Sequence, residues 1–330
     1  MSLMINGEIH EEWLEAETDD GEFVRKDSQF RNWVTSDGSP GPTGVGGFEA
    51  EPGRYHLYIS YACPWASRTL IFRKLKKLED LISVDVVHPH MGPKGWRFGG
   101  FSGSTNDTVN GKDYMYEVYA LAAAKYSGVV TVPLLWDKKH KAIVNNESSE
   151  IIRMFNSAFD EWADCGVDFY PERLRTQIDE VNNLVYDNVN NGVYRVGFAT
   201  SQEKYDEAFD RLFSALDELE KRLSAKRYLT GDTVTEADWR LFVTLVRFDS
   251  VYVGHFKCNL RRIEDYPNLS NYLRELYQWP GVAETVNMHH IKQHYYYSHT
   301  SINPTQIVPK GPALDLMSEH DRERLPARGF

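Results

Sequence analysis

The stretch over residues 55–78, YHLYISYACPWASRTLIFRKLKKL, decides the fold of the first half of this chain. Its opening, YHLYIS, alternates in polarity and is rich in aromatic residues, which is typical of a β-strand. After it, apolar residues such as Ile71 and Leu75 recur at helical spacing, and Pro64 suits the first position of an α-helix. The sequence therefore predicts a strand followed directly by a helix, with Cys63 at the junction.

The position of Cys63 indicates a reactive thiol. A helix N-terminus carries unpaired backbone N–H groups and a partial positive charge, which favour a thiolate and can lower the pKa of a cysteine below its ordinary value of about 8.5. The motif CPWA lacks the second cysteine of a Cys-x-x-Cys pair, so an oxidised intermediate needs an external thiol to resolve it. The alternative is a buried, inert core cysteine. Cys165 and Cys258 have no such context, and we interpret both as structural.

The rest of the first half continues to alternate strands and helices. A second strand is predicted over 82–89 and, after a long glycine-bearing connection, a helix over 114–125. A hairpin over 129–137 and 141–145 follows, and another helix opens at Glu147. The predicted order is β-α-β-α-β-β-α. The long connection has a length that usually marks a functional or disordered loop.

Two short motifs in this half indicate a site for a peptide-like ligand. A proline cannot complete a strand ladder, so Val132-Pro133 suggests either an edge strand or a cis peptide bond that turns the Val132 backbone towards such a ligand. Glu147-Ser148 precedes a helix whose N–H groups can hold a carboxylate. Glu147 can meet an ammonium group and Ser148 the carboxylate of the same α-amino acid end. An ordinary N-cap explains this second motif equally well.

The second half of the chain is helical in pattern. Strand signals stop after about residue 159, and amphipathic stripes replace them over 178–185 and 209–219. Thr235 and Asp238 form a carboxylate variant of the capping box. From these changes we predict an irregular arm over residues 1–53, a mixed α/β domain over 54–158, an all-α domain over 172–298 and an extended tail over 299–330.

Composition limits the classes of function. The 330 residues carry 37 Lys and Arg against 48 Asp and Glu, a formal net charge of −11, which disfavours nucleic acid or an anionic membrane as a partner. No apolar run approaches the ~20 residues of a membrane span, and the first thirty residues lack a secretion signal. Three cysteines are a sparse and odd set for a disulfide framework. We therefore expect a cytoplasmic protein.

The motifs together resemble the glutathione transferase superfamily. Its members place a thiol or hydroxyl at the first strand–helix turn, Val-Pro before the third strand and Glu-Ser at the next helix. Within that superfamily the chain resembles the glutathionyl-hydroquinone reductases, or Xi class, over nearly its whole length. The segments that carry this resemblance are YACPWASRTLIFRKLKKL, GPTGVGGF, TVPLLWDK, NNESSEIIRMFN, VNNGVYRVGFATSQ, LVRFDSVYVGHFKCN and IKQHYYYSHTSINPTQIVPKGP. The segment TGDTVTEADW resembles the internal capping motif in the helical domain of the wider superfamily.

The resemblance implies a thioredoxin-like α/β domain that binds glutathione, followed by an all-α domain, in a homodimer. It implies that Cys63 is the nucleophile, that Tyr194 donates a proton, and that Tyr252 and Tyr295 hydrogen-bond the Cys63 sulfur. The residues implied to hold glutathione, the co-substrate, are Trp96, Val129, Val130, Val132, Glu147 and Ser148. The family often carries a basic residue where Val129 stands, so one charge contact to glutathione is expected to be missing here.

Three other interpretations remain open at this stage. A cysteine-type, omega-like transferase would act as a thiol transferase or dehydroascorbate reductase from the same Cys-Pro start. A non-catalytic glutathione-fold module would use the fold for protein contacts. His290 and His294, spaced i and i+4, are a weak match to a zinc site, since no glutamate follows the first histidine and no third ligand is in view. We therefore expect no metal.

Overall fold

The computed structural model describes residues 2–10, 18–163 and 166–328. The chain forms two compact units, which we name by their content. The sheet unit comprises Met1–Ala16, Lys26–Cys165 and His289–His294, and the helical unit comprises Glu17–Arg25, Gly166–Met288 and Tyr295–Phe330. Cys165, interpreted above as structural, lies outside the described residues.

The described chain contains eleven strands and nine α-helices. The strands are β1 (Leu3–Ile5), β2 (Glu8–His10), β3 (Thr18–Asp19), β4 (Glu22–Phe23), β5 (Trp33–Thr35), β6 (Gly47–Glu49), β7 (Tyr55–Ile59), β8 (Ile82–Val86), β9 (Gly128–Val129), β10 (Leu134–Asp137) and β11 (Ala142–Asn145). All strands belong to the sheet unit except β3 and β4, which belong to the helical unit. The helices are α1 (Pro64–Leu75), α2 (Met115–Ala122), α3 (Ser148–Ser157), α4 (Arg175–Val185), α5 (Gly192–Phe198), α6 (Gln202–Ala225), α7 (Glu236–Arg247), α8 (Pro267–Tyr277) and α9 (Met288–Ser298).

The central sheet has the strand order β11-β10-β7-β8. β7 pairs in parallel with β8, and β10 is antiparallel to both β7 and β11. Every residue of β7 is buried, as expected of a central strand that is covered on both faces. α1 packs against α3. The predicted order β-α-β-α-β-β-α holds for the central sheet and its helices, but the strand predicted over 129–137 is divided, since β9 pairs with β1 and only β10 joins the central sheet. β7 leads directly to Cys63 and α1.

The arm predicted to be irregular over residues 1–53 carries several short strands in its described part. β1 pairs with both β2 and β9, and β5 pairs in parallel with β6. Next to β11, the Asn32 N–H donates to the Val144 carbonyl at 3.0 Å, and Arg31 forms an ion pair with Glu150 on α3. Strands of two or three residues are too short for an alternating pattern to show in the sequence. The arm is shared between the two units rather than standing apart from them.

The helical unit is built on the predicted amphipathic stripes. Leu212, Leu216 and Leu219 of α6 are fully buried. The predicted capping box is confirmed at the start of α7, where Asp238 accepts from the Thr235 N–H at 2.8 Å and also from the Leu229 N–H at 2.9 Å. Among the described residues, no helix combines the length and the apolar character needed to cross a membrane.

The predicted extended tail is anchored by one fully buried cation, Arg322. Its guanidinium donates to the carbonyls of Leu223 (2.8 Å), Lys226 (2.7 Å) and Arg227 (2.6 Å) at the end of α6. We expect Arg322→Ala to lower the free energy of unfolding by about 2–4 kcal/mol, because three charge-assisted bonds to helix-terminal carbonyls are lost. Urea unfolding of the variant measures this. Arg324→Ala, which removes a partly exposed neighbour, should cost less than about 1 kcal/mol, and equal losses in the two variants would contradict the anchoring role.

Two buried histidines, His88 and His255, are expected to make the folded protein less stable at acidic pH. Burial lowers the pKa of His88 and of His255 to about 4, with help from Arg97 and from Lys257 respectively. Between the ordinary pKa of 6.5 and 4, the unfolded chain binds more protons than the folded one. The contribution of these two histidines to the free energy of unfolding is therefore fully present above about pH 6.5 and is lost as the pH falls towards 4. At pH 5 each histidine should cost about 2 kcal/mol relative to pH 7.

The measurement is urea unfolding of wild type and of His255→Gln at pH 7 and pH 5. The variant should lose about 2 kcal/mol less than wild type between the two pH values. Gln is chosen because it does not titrate and can keep a polar contact to His299, whose Nδ1 lies 3.0 Å from His255 Nε2. His10→Gln, at an exposed position, should leave the difference unchanged. An unaltered pH dependence in His255→Gln would reject this assignment.

Candidate active site

Cys63 is the N-cap residue of α1, with φ −73° and ψ 118° and with Pro64 as the first helical residue. Its side chain is half-buried. The Cys63 S–H donates to the Val132 carbonyl at 3.3 Å. That bond favours the neutral thiol, whereas the N-terminus of α1 favours the thiolate. A ligand that donates a hydrogen bond to the Val132 carbonyl would displace the Cys63 S–H. The contact that favours the neutral thiol would then be lost, and the N-terminus of α1 would still favour the thiolate.

The Val132-Pro133 peptide bond is cis, which was one of the two conformations predicted. Among the described residues, no acceptor pairs with the Val132 N–H. The neighbouring backbone is already occupied, because the Val130 N–H donates to the Ser2 carbonyl at 3.1 Å and Val129 pairs with Leu3 of β1. Within the predicted Val129–Val132 stretch, Val132 thus has an N–H without a partner in the described part of the chain, and its contact with a peptide ligand stays a prediction.

Glu147 is held in place as the N-cap residue of α3. Its Oε1 accepts from the Ser149 N–H at 3.0 Å and from the Ser149 hydroxyl at 2.9 Å. Burial alone would raise the pKa of the Glu147 carboxyl, but the bonds from Ser149 and the charges of Arg68 and Arg31 hold that pKa below its ordinary value. Glu147 is therefore a fixed negative charge, which is what an ammonium group requires.

Two residues at this end of the site were missed by the sequence analysis. Arg68 of α1 is fully buried, and its Nη1 lies 3.4 Å from the Ser148 hydroxyl, with its guanidinium 4.6 Å from the Trp65 ring. The Ser28 hydroxyl lies 3.2 Å from Glu147 Oε2 and 3.1 Å from the Asn146 carbonyl, so it can donate to either. An arginine on the buried face of α1 was a readable signal, whereas Ser28 in an irregular arm was not.

Trp96 lies in the long connection and is buried. Its ring stacks on His294 with centroids 4.8 Å apart and an interplanar angle of 24°. His294 Nδ1 lies 2.8 Å from the Pro89 carbonyl, and His290 Nε2 lies 2.7 Å from the Ser102 carbonyl. Both histidines thus secure the connection. Within the described ranges, no three His, Cys, Asp or Glu side chains come together as metal ligands.

The helical unit brings the three predicted tyrosines together. Tyr194 lies on α5, Tyr252 at the end of a π-helical turn (Phe248–Tyr252) and Tyr295 on α9. The Tyr194 and Tyr295 oxygens are 2.6 Å apart, and the Tyr252 and Tyr295 oxygens are 3.1 Å apart. Tyr295 is therefore the centre of a hydrogen-bonded chain of three phenols. Their predicted hydrogen bonds to the Cys63 sulfur stay a prediction.

The three tyrosines of this cluster differ in burial. Tyr252 and Tyr295 are fully buried, whereas Tyr194 is half-buried. Burial raises the pKa of both Tyr252 and Tyr295 well above the ordinary value of 10.0, and the charge of Arg247 opposes that rise. Both stay protonated at neutral pH and can act as donors. Tyr194 is the most exposed member of the cluster.

Comparison with known proteins places the chain among relatives of known class. Residues 62–158 match the glutathione S-transferase N-terminal domain, and residues 202–275 match its C-terminal domain. The chain is 56% identical over 324 residues to glutathionyl-hydroquinone reductase YqjG of Escherichia coli, covering 98% of this chain and 99% of that protein. It is 53% identical over 316 residues to glutathionyl-hydroquinone reductase PcpF of Sphingobium chlorophenolicum, covering 96% and 98%.

Solved structures agree. The glutathione-bound structure of YqjG from Escherichia coli K-12 matches with a TM-score of 0.90 at 55% identity, over 97% of this chain and 99% of that chain. The Xi-class transferase from Natrialba magadii matches with a TM-score of 0.90 at 48% identity, over 99% and 98%. The fold and the matched domains define a glutathione transferase. Within that superfamily, the chain belongs to the glutathionyl-hydroquinone reductases, the Xi class, as its motifs predicted.

Proposed function

We propose that this protein reduces glutathionyl-hydroquinones to hydroquinones at the expense of glutathione, through a mixed disulfide between Cys63 and glutathione. The observation that carries the proposal is the position of Cys63 at the N-terminus of α1, 3.3 Å from the carbonyl of the cis Val132-Pro133 bond. In this position the sulfur lies at a helix N-terminus, which favours the thiolate, and next to the Val132 backbone, whose N–H has no partner among the described residues. The names of the relatives at 56% and 53% identity supply the substrate class.

In the first step the Cys63 thiolate attacks the sulfur that joins glutathione to the aromatic ring. The new bond is Cys63 S–S glutathione, and the bond that breaks is carbon–sulfur. The electron pair of that bond moves to the ring carbon, which takes a proton from the Tyr194 phenol and leaves as the hydroquinone. Tyr295, hydrogen-bonded to Tyr194 at 2.6 Å, is placed to stabilise the resulting phenolate.

In the second step a glutathione thiolate attacks the glutathione sulfur of the mixed disulfide. This thiol–disulfide exchange releases oxidised glutathione and restores the Cys63 thiolate. The sum of both steps is glutathionyl-hydroquinone plus glutathione giving hydroquinone plus oxidised glutathione. The external thiol is required because the CPWA motif offers no second cysteine.

The residues of the sheet unit have binding roles in this proposal. Glu147 pairs with the ammonium of the γ-glutamyl group, and Ser148 with the first turn of α3 holds its carboxylate. The Val132 backbone pairs with the peptide part, and Trp96 lies against glutathione. The chemistry uses glutathione as co-substrate and needs no metal. Family membership further leads us to propose a homodimer in the cytoplasm.

Glu147→Gln tests the binding part. We expect KM for glutathione to rise about tenfold with kcat little changed, because a charge-assisted bond to the ammonium becomes a neutral one. Steady-state kinetics with varied glutathione measure this. Glu117→Gln is the matched control, since Glu117 also accepts backbone N–H bonds at a helix start, that of α2. The same rise in KM in both variants would contradict the ammonium role of Glu147.

A second candidate, thiol transferase activity, shares the Cys63 mixed disulfide but needs no proton donor for carbon. It is favoured by the relative from Schizosaccharomyces pombe named glutathione S-transferase omega-like 2, 49% identical over 301 residues. The discriminating experiment compares glutathionyl-menadiol with the mixed disulfide of glutathione and mercaptoethanol, using one enzyme preparation. We expect menadiol and oxidised glutathione in equal amounts from the first substrate, and a glutathione adduct on Cys63 by mass spectrometry when free glutathione is withheld.

A preparation that turns over the disulfide but releases no menadiol would support the thiol transferase instead. A preparation that forms no adduct on Cys63 and turns over neither substrate would reject both enzymes and leave the non-catalytic module.

A further inference from the structure

The N-terminal arm places a cation on the tyrosine cluster. Within the helical unit, the Arg25 guanidinium carbon lies 5.0 Å from the centroid of the Tyr194 ring and 5.1 Å from that of the Phe23 ring. Arg25 Nε donates to Asn191 Oδ1 at 2.9 Å. These distances are those of a cation–π contact, in which the ring face attracts a positive charge.

The arm segment that carries Arg25 is itself docked on the helices. The Thr200 N–H donates to the Gly21 carbonyl at 3.1 Å. Phe23 is buried and stacks on Tyr194 and on Phe198 with centroids 5.9 Å and 5.8 Å away. Asn191, the partner of Arg25, is buried. Arg25 is thus held over Tyr194 by Phe23 on one side and Asn191 on the other.

Arg25 brings a positive charge to Tyr194, whereas the aromatic residues around Tyr194 are neutral. Tyr295 and Tyr252 are neutral phenols, and Phe23, Phe198 and Phe256, whose rings also lie against Tyr194, are apolar. Arg247 acts on Tyr252 and Tyr295. A negative charge on Tyr194 would therefore meet the Tyr295 hydroxyl as a donor at its oxygen and the Arg25 charge at its ring face.

We propose that Arg25 is a positioning and electrostatic residue for carbon–sulfur cleavage: it holds the Tyr194 ring and stabilises the phenolate that forms when Tyr194 gives its proton to the ring carbon. This inference rests on the proposed function. The charge on Tyr194 lasts until the phenolate regains a proton from solvent. Reduction of a simple disulfide creates no such charge, so Arg25 contributes to one reaction of Cys63 and not to the other.

Two variants separate the charge of Arg25 from its hydrogen bond to Asn191. Arg25→Gln keeps a side-chain donor for Asn191 but carries no charge, whereas Arg25→Lys keeps the charge. We expect Arg25→Gln to lower kcat with glutathionyl-menadiol about tenfold, the range of a partly shielded cation–π contact. Its KM for glutathione and its rate with the glutathione–mercaptoethanol disulfide should stay within about twofold of wild type, and Arg25→Lys should recover most of the lost rate.

Arg175→Gln is the matched control, because Arg175 also lies over a ring, that of Tyr170 at 5.2 Å, in the same unit. Thermal melting of each variant checks folding. The inference is overturned if Arg25→Gln equals wild type on both substrates, if Gln and Lys impair the enzyme equally, or if both reactions fall together. Wild type that turns over the disulfide but not glutathionyl-menadiol would instead overturn the proposed function, and this inference would fall with it.

Discussion

Cys63→Ser is expected to lower kcat/KM for glutathionyl-menadiol by about a thousandfold or more, because it removes the nucleophile on which both proposed steps depend. A serine hydroxyl at the start of α1 has the same shape but is not ionised near neutral pH, and it cannot form a disulfide with glutathione. Reduction of the glutathione–mercaptoethanol disulfide should fall equally, since that reaction passes through the same intermediate. Steady-state kinetics on both substrates measure the two losses.

The chain offers a matched control in Cys258→Ala. Cys258 is fully buried, and burial raises the pKa of its thiol well above the ordinary value, so it stays protonated and inert. Its variant should keep wild-type activity, with any loss confined to stability. Residual reduction above about a tenth of the wild-type rate in Cys63→Ser would show that another group performs the chemistry.

The rate of alkylation at pH 7 tests the premise that the Cys63 thiol is ionised near neutral pH. Iodoacetamide should modify Cys63 faster at pH 7 than it modifies free glutathione, because the α1 N-terminus stabilises the thiolate. The S–H bond to the Val132 carbonyl acts in the opposite direction. Saturation with S-methylglutathione, which cannot react with the thiol, should engage the Val132 backbone and also shield Cys63 from the reagent. The alkylation rate of Cys63 is therefore measured on protein without bound glutathione or S-methylglutathione, and is compared with the rate for glutathione free in solution.

The site residues divide into those that local sequence could predict and those that it could not. Cys63 was readable because a buried strand, a proline and a helical stripe follow one another without a gap, and Glu147 was readable as the residue before a helix. The tyrosine cluster was not, since Tyr194 and Tyr295 are 101 residues apart and Tyr252 and Tyr295 are 43 apart. Tertiary packing alone joins them, and the family resemblance supplied their identity.

The N-terminal arm is a second region whose structure and contacts local sequence could not predict. Its strands have two or three residues, which gives neither a helical nor a strand period enough length to be recognised. Besides backbone pairing such as that of β1 with β9, the arm reaches the site through single side chains, such as Ser28 near Glu147 and Arg25 over Tyr194. Nothing in the neighbouring residues marks either one. Their importance depends on the partner reached, which the fold determines.

Tyr194→Phe is expected to lower kcat for glutathionyl-menadiol about a hundredfold or more, which is the usual contribution of a positioned general acid. Reduction of the glutathione–mercaptoethanol disulfide should stay within about twofold of wild type, because sulfur leaves as a thiolate and needs no carbon protonation. Phe keeps the ring that stacks on Phe23, so packing changes little. Rates on the two substrates, measured at the same glutathione concentration, give the result as a ratio.

Tyr205→Phe is the matched control for this variant, because its hydroxyl also makes one hydrogen bond in the helical unit, to the Lys257 carbonyl at 3.0 Å. It should leave both rates unchanged. Equal losses on both substrates in Tyr194→Phe would assign Tyr194 to binding or to the Cys63 sulfur rather than to the ring carbon. Tyr295 is buried and hydrogen-bonds both other phenols. If the rate with glutathionyl-menadiol is kept in Tyr194→Phe but lost in Tyr295→Phe, the proton donor is Tyr295 rather than Tyr194.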